Sequence, residues 1–390
     1  MIKSIRIEGF KSLASVELKL GHFNLLIGTN ASGKSNFLDA LRFLQGVAYG
    51  FTIDEILNGK PKSATSEVWE AIRGGSDWAS FRSRIGTPAS RFIGFQVVLA
   101  HPQADLEYRL SVSSKEGRII VERAYLGDKP FVTCVNGRVR LYSLDNKSYR
   151  LLQGRLREKS CLNRLPAERY PKTAAAAAAV VRTLSDVQRL EPTPALLRDY
   201  SQAASIRRMG ERGENFAGLV RTIIENEKEH TAYVGWLKEL SPIELDDVTT
   251  LAGVGGDSMF ALREGDITSP ARVLSDGTLR FAAIAAAFFQ PDMPKLLTLE
   301  DIEDGLHPTR LRLMLNLLST QSLRTGTQVF ATTHSPLAVD WALAFGGVRL
   351  FYFRRDEKTG ESIVKPLDAK AYKGASLGDL ISEGWLEAMA

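Results

Sequence analysis

The sequence predicts an α/β protein in which a mostly parallel sheet, covered by helices, is joined to an antiparallel β-meander and a helical insertion. Three observations predict it. A glycine-rich loop, Gly28 to Ser35, separates a short apolar strand from an amphipathic helix; residues 91 to 150 alternate apolar and polar side chains in strand-length runs; and the last third alternates apolar strands with helices. The 390 residues, 44% hydrophobic and 24% charged, suffice to bury a core without disulfide or metal staples.

The elements follow in order. Ile2, Ile5 and Ile7, then Val16, Leu18 and Leu20, mark two strands, and Phe23 to Ile27 is a compact apolar third ending at Gly28. Phe37, Leu38, Leu41 and Leu44 recur on one face of a helix from Asn36 to Leu44. Phe92–Leu99, Leu106–Val112, Ile119–Leu126 and Phe131–Val135 form the meander, divided by Pro, Gly, Lys and Asp. The chain then turns helical and irregular, with the alanine run 174–179 and a helix pair from Glu214 to Leu240 that Pro242 ends. Beyond it come a helix at Leu279–Phe289, a strand at Leu296–Leu299, a helix at Pro308–Leu318, and strands at Gln328–Ala331 and Val348–Phe353. We therefore divide the chain into an N-terminal lobe, 1–147, a helical insertion, 148–240, and a C-terminal lobe, 241–390.

Composition narrows the function classes. Cys134 and Cys161 stand in no C-x-x-C or zinc spacing and read as inert buried thiols in a reducing compartment. The N-terminus alternates charged and apolar residues, and no apolar run nears the roughly 20 residues of a membrane span, so a cytoplasmic protein without a membrane partner is expected.

The chemistry concentrates in a few segments. Gly28-Thr29-Asn30-Ala31-Ser32-Gly33-Lys34-Ser35 is a full G-x-x-x-x-G-K-S phosphate loop in its required strand-then-helix context, which makes the chain a P-loop NTPase candidate. Glycines let the backbone wrap phosphates, successive N–H groups and a helix N-terminus supply positive charge, Lys34 reaches the β and γ oxygens, and Ser35 can ligate magnesium. The expected ATP contacts are Gly28, Asn30, Ala31, Ser32, Gly33, Lys34, Ser35 and Asn36. Downstream, the strand Leu296–Leu299 ends in Glu300-Asp301, and Val329–Thr333 ends in His334. Two carboxylates at a strand end suit magnesium and an attacking water, although acids also favour helix entries. Leu274-Ser275-Asp276-Gly277 opens a helix and offers a hydroxyl and free N–H groups to an anion. His307, before Pro308, reads as a helix-start residue.

Together these segments resemble the ABC-type ATPases of the SMC, RecF and OLD kind. The resemblance assigns the P-loop to Walker A, Leu274–Gly277 to the signature motif, Glu300-Asp301-Ile302-Glu303 to Walker B and His334 to the switch histidine. The wording GTNASGKSNFLDALRFL, GERGENFAGLV, SDGTLRFAA, EDIEDGLHPTRL and ATTHSP is similar to that of bacterial AAA-family ATPases often encoded beside a Toprim-like nuclease in defence or repair loci. That likeness implies a homodimer, or a higher oligomer, sandwiching ATP between Lys34 and Ser35 of one subunit and Ser275 and Gly277 of the other. It implies Mg²⁺ on Ser35 and Glu300, Asp301 as the group that orients or deprotonates water, and His334 as sensor of the γ-phosphate. No Toprim pattern follows the ATPase motifs, so a nuclease activity is expected from a partner. The implied role is gating of that effector or of nucleic acid in anti-phage defence; DNA repair and an ATP-holding scaffold are the alternatives. The usual order of the two acids is Asp then Glu, and here Asp301 is one methylene shorter. Misplacement by about 1 Å can cost on the order of 100-fold in rate, so slow hydrolysis is expected.

Charge is local. Residues 138–172 hold ten basic and three acidic side chains, net +7 against +5 for the whole chain, with Tyr142, Tyr149 and Tyr170 interleaved. Arg138, Arg140, Arg150, Arg155 and Arg157 are the candidate contacts to DNA, RNA or an acidic partner, beside the bland reading of a solvated basic face. The turn Ile206–Gly213 is a smaller basic candidate that reads as flexible.

Overall fold

The computed structural model describes residues 1–61, 68–85, 90, 92–144, 149–152, 157–165, 169–202, 205–240, 245–367 and 376–382. Its chain forms two compact units: the first comprises 1–21, 26–187 and 351–367, the second 22–25, 188–350 and 368–390. The segment 148–240 is therefore shared between units, dividing after Val187.

In the first unit, β1 (Ile2–Phe10) and β2 (Leu13–Lys19) form a hairpin whose register pairs Ile5 with Leu18 and Ile7 with Val16, the alternation seen in the sequence. After β3 (Phe23–Ile27), α1 (Lys34–Ala48) buries Phe37, Leu41 and Leu44. Phe43 of α1 stacks on Phe95 at 5.1 Å between centroids, with Phe10 completing the cluster. Short helices α2 (Ile53–Asn58) and α3 (Gly75–Trp78) lead to the meander: β4 (Ile93–Leu99), β5 (Leu106–Ser113), β6 (Arg118–Leu126), β7 (Lys129–Val135), β8 (Arg138–Tyr142) and β9 (Tyr149–Leu152). With the first hairpin they make an eight-stranded antiparallel sheet of order β2-β1-β4-β5-β6-β7-β8-β9. The last two strands lie inside the basic window. The alanine run lies in α4 (Pro171–Ser185), which packs on α1 and buries Ala176, Ala177 and Val180.

One buried polar knot fixes this sheet. Glu122 of β6 is fully buried and accepts hydrogen bonds from Tyr108 Oη at 2.8 Å, from the Cys161 N–H at 2.9 Å and from Ser160 Oγ. Burial, then the adjacent carboxylate, pushes the Tyr108 hydroxyl well above its ordinary value, which keeps it a donor. Tyr108→Phe leaves Glu122 one donor short. Urea denaturation should show a loss of roughly 1.5–3 kcal/mol. Cys134 and Cys161 are buried thiols not joined in a disulfide, as expected.

In the second unit, β10 (Val187–Leu190) and α5 (Pro194–Leu197) precede a helix pair, α6 (Phe216–Ile224) and α7 (Glu227–Lys238). Asn226 separates the pair and caps α7 through the Glu229 N–H. Pro242, read as the end of the pair, lies outside the described residues. Three antiparallel strands follow, β11 (Asp247–Ala252), β12 (Ser258–Glu264) and β13 (Ile267–Pro270), then α8 (Asp276–Ala286). Helix α8 is buried almost all round, and Tyr233 of α7 donates to its Ala282 carbonyl at 3.0 Å. Strand β14 (Leu296–Leu299) runs parallel to β15 (Gln328–Thr333), joined by α9 (Pro308–Thr325). Next come α10 (Pro336–Ala344), β16 (Val348–Arg355) and α11 (Leu377–Ser382), whereas β17 (Ser362–Leu367) belongs to the first unit. The second sheet has order β10-β14-β15-β3-β16-β17, and β3 and β16 belong in part to each unit.

Candidate nucleotide site

In the first unit, α1 begins in the phosphate loop. Its N-cap is Gly33, which offers no side-chain cap, and its first turn contains no acid, so its positive end is uncompensated. Gly33 has φ 109°, and a Cβ there would stand 2.0 Å from Ser362 Oγ, so glycine is required twice over. Asn30 and Ala31 form an exposed crest, while Ser32, Gly33 and Lys34 are buried beneath it. The Lys34 ammonium turns back on the loop, donating to the carbonyls of Gly28 at 2.6 Å and Thr29 at 3.0 Å. Among the described residues the buried Ser32 Oγ has no hydrogen-bond partner. An uncapped helix start, an orphaned hydroxyl and a buried ammonium fit a triphosphate.

The structure adds residues that the motif did not reveal. Asn36 Nδ2 donates to Ser12 Oγ at 2.6 Å, Ser12 and Ser362 share a hydrogen bond of 2.6 Å, and Ser362 Oγ donates to the Ser32 carbonyl. Arg73 donates to the Ser35 carbonyl at 3.3 Å and pairs with Asp39 at 3.2 Å, and Lys11 pairs with the same Asp39. Lys11, Arg73, Arg82 and Arg355 line a cavity of about 450 Å³ with Ser35, Asn36 and Trp78. The available signals were weak: a lysine in the β1–β2 turn, an arginine before a Gly-Gly pair, and a serine some 330 residues away.

In the second unit, β14 delivers Glu300-Asp301 and β15 delivers His334. Asp301 has φ 46°, a left-handed conformation that Asp and Asn tolerate better than most residues. Its backbone is clamped: the N–H donates to Thr332 Oγ1 at 2.8 Å, and Arg280 donates to the carbonyls of Glu300 at 2.9 Å and Asp301 at 2.8 Å. Thr332 Oγ1 also donates to Asp301 Oδ1 at 3.2 Å. Glu303 Oε1 accepts both the His334 backbone N–H at 2.7 Å and, because a carboxylate only accepts, the proton on His334 Nδ1 at 2.9 Å. In the neutral ring this leaves Nε2 as the acceptor nitrogen. Asp301, Glu303 and His334 bring their donor atoms within 4.8 Å of one another, with Glu303 Oε1 2.9 Å and Asp301 Oδ1 3.9 Å from His334 Nδ1. The Glu300 carboxylate lies 3.5 Å from Arg189, which also meets Glu191 and Glu211. The Glu300 carboxylate is a hard oxygen donor of the kind magnesium takes.

Thr332→Val keeps the branching of the side chain and removes the hydroxyl that holds Asp301. We expect steady-state ATP turnover to fall on the order of 10- to 100-fold, with a loss of about 1–3 kcal/mol of stability because the Asp301 N–H loses its acceptor.

Ser275 caps α8, accepting from the Thr278 N–H, and Arg198 secures the loop by donating to the Leu274 carbonyl at 2.8 Å and pairing with Asp276. Gly277 touches the loop after β14: a Cβ there would stand 2.3 Å from the Gly305 carbonyl oxygen. Gly277→Ala must therefore move that loop, and we expect overpacking there to cost about 1–3 kcal/mol of stability with α8 still folded, read by urea denaturation followed by circular dichroism. His307 caps α9, as its sequence position predicts. The turn Ile206–Gly213, which the sequence suggests is flexible, is instead tied down by Arg207–Asp292, by Met209 N–H to Gln290 Oε1, and by Gln188 to the Met209 carbonyl. Of the five candidate arginines, Arg138, Arg140 and Arg157 line one groove; Arg155 and the Arg150 side chain lie outside the described residues.

Loop, strand order and paired acids define the class: an α/β P-loop NTPase with the fold of an SMC head. Solved structures agree. An SMC head bound to the C-winged helix domain of ScpA aligns with TM-score 0.56 and 15% identity, covering 95% of this chain and 98% of that one. The Pyrococcus furiosus SMC head bound to the C-terminal domain of ScpA aligns with TM-score 0.54 and 14% identity, covering 100% and 99%. Locally, 49 residues are 49% identical to Structural maintenance of chromosomes proteins 2-1 and 2-2 of Arabidopsis thaliana, 12% of this chain and only 4% of those proteins. Residues 23–340 match the family described as "AAA domain, putative AbiEii toxin, Type IV TA system", and the chain belongs to that family. No helix among the described residues is long and apolar enough to cross a membrane.

Proposed function

We propose that the protein binds ATP and Mg²⁺, hydrolyses ATP slowly, and dimerises around the nucleotide to gate a partner effector or nucleic acid. The observation that carries this reading is the uncapped, acid-free start of α1 beneath a glycine loop, with Lys34 buried in it. In this reading Lys34 and the loop N–H groups hold the phosphates, with Asn30, Ala31 and Asn36 beside them. Mg²⁺ on Ser35 and Glu300 would neutralise phosphate charge. Asp301 orients the attacking water and takes its proton, and Glu303 keeps His334 in the tautomer whose Nε2 accepts. Ser275 and Gly277 contact the nucleotide of the opposite subunit. Val273, 70% exposed beside Ser275, is an apolar contact suited to that seam.

The partner is an effector protein, for which a Toprim-like nuclease is the expected class, and the process is anti-phage defence in the cytoplasm. The family description, which names a putative toxin of a Type IV TA system, supports defence. The local identity to chromosome-maintenance proteins favours a repair role as second reading. That SMC heads are solved with ScpA domains bound supports a docking partner. Purified protein should release phosphate from ATP well below one turnover per second. Turnover at tens per second would refute the slow-switch reading, and no ATP binding would refute the whole.

A further inference from the structure

The outward face of the eight-stranded sheet carries arginines in register. Arg6, Gln96, Arg109, Arg123, Thr133 and Arg140 are successive cross-strand partners from β1 through β4, β5, β6 and β7 to β8. At a strand spacing of about 4.8 Å the row is about 24 Å long. Its two halves differ. Arg6 is neutralised by Glu8 at 2.7 Å, and Arg109 pairs with Glu107 and lies over the Tyr125 ring. Among the described residues Arg123, Arg138 and Arg140 have no carboxylate partner, and Glu122, next to Arg123, is turned into the core. Arg157 donates to the Asn136 carbonyl at 3.2 Å and closes the same side.

These side chains form a groove. Arg138, Arg140 and Arg157, with Thr133, Val135 and Asn136, line about 440 Å³. Arg138 and Arg140 alternate with buried Val139 and Leu141, so both guanidiniums stand on one face about 6.6 Å apart along the strand. Among the described lining residues are three guanidiniums, a hydroxyl and an amide, and none of them is an acid or an aromatic ring. Single-strand binders stack bases on exposed rings; the rings of this face, Tyr125 and Tyr142, lie outside the described lining of the groove, where fixed guanidiniums and small polar groups match phosphates.

We propose that the β6–β8 face binds the phosphodiester backbone of a nucleic-acid duplex without reading its sequence. The inference deepens the nucleic-acid arm of the function proposed above and rests on it only for its use, since the contact needs no ATP.

The test is fluorescence anisotropy with the full chain. The probes are a labelled DNA duplex of about 30 base pairs, a second DNA duplex of scrambled sequence, an RNA duplex, a DNA single strand and a polyglutamate peptide, each between 50 and 200 mM salt. The variant is Arg138→Glu/Arg140→Glu/Arg157→Glu, with Arg→Gln at the same positions should the reversal disturb the melting curve. We expect a duplex to bind, the scrambled one within twofold. We expect the variant to bind at least 10-fold more weakly, with the log–log salt slope reduced by about 3 and ATP turnover unchanged. Tight binding of either the DNA or the RNA duplex supports the proposal, and the tighter names the source. Unchanged affinity and slope in the variant, a tenfold preference for single strand, or tighter binding of polyglutamate overturns it. Duplex binding without ATP turnover would sink the ATPase reading and leave this inference standing; turnover without duplex binding does the reverse.

Discussion

Lys34→Ala is expected to lower ATP turnover about 1,000-fold and to remove ATP-dependent self-association altogether. The lysine is the one formal positive charge inside the loop, 6% exposed, and its ammonium is held by the carbonyls of Gly28 and Thr29 at the start of α1. Charges preorganised in a dry site are worth more than charges in water, and losing one such donor typically costs 100- to 1,000-fold. Removing the ammonium also leaves two loop carbonyls short of a donor, an expected loss of about 1–3 kcal/mol. The variant's melting curve separates that effect from the loss of nucleotide. Isothermal titration with ATP should show no saturable heat, and binding at wild-type affinity would contradict the assignment.

Asp301→Asn is expected to stop hydrolysis while leaving ATP bound. Asparagine tolerates the left-handed φ of 46° as aspartate does, so the loop should survive. The Thr332 hydroxyl can still bond the side chain; only the charge that would take a proton from water is lost. Turnover should fall on the order of 1,000-fold, by analogy with other unit-acting catalytic groups, with ATP affinity within a few-fold of wild type. The nucleotide-bound dimer should accumulate. Asp301→Glu probes the missing methylene, and faster turnover is expected if reach limits the rate. A rate unchanged in Asp301→Asn would remove this residue from the mechanism.

The sequence carried the parts of the site that depend on local rules. The phosphate loop was legible because a glycine-rich turn, a lysine and a helix start must be contiguous to act. The end of β14 was legible because four apolar residues precede two acids. Strands of the meander followed their alternation to within a residue or two. Strands β8 and β9 did not stand out, since charge masks the alternation of Arg138-Val139-Arg140-Leu141. Helix α9 runs seven residues beyond its apolar pattern, to Thr325. Its polar end is satisfied by its own backbone, Ser322 Oγ bonding the Ser319 carbonyl and Thr325 Oγ1 the Gln321 carbonyl.

What sequence could not supply was contact across long separations. Ser362 lies 330 residues from the Ser32 carbonyl it bonds. Arg73 reaches Ser35 and Asp39 from a separate loop. The pairing of Glu303 with His334 joins two segments that the motifs name separately, and the clamp of Thr332 and Arg280 on Asp301 explains how a left-handed aspartate persists there.

The central claim is that ATP, held through Lys34 and spent through Asp301, controls the association of two subunits. Mass determined by light scattering during size exclusion, with and without Mg²⁺-ATP, tests it for the wild type, Lys34→Ala and Asp301→Asn. The account predicts that ATP doubles the mass of Asp301→Asn in a stable peak, doubles the wild type transiently, and leaves Lys34→Ala unchanged. The same mass for all three with and without ATP, or a Lys34→Ala dimer that forms as readily as the others, would contradict it.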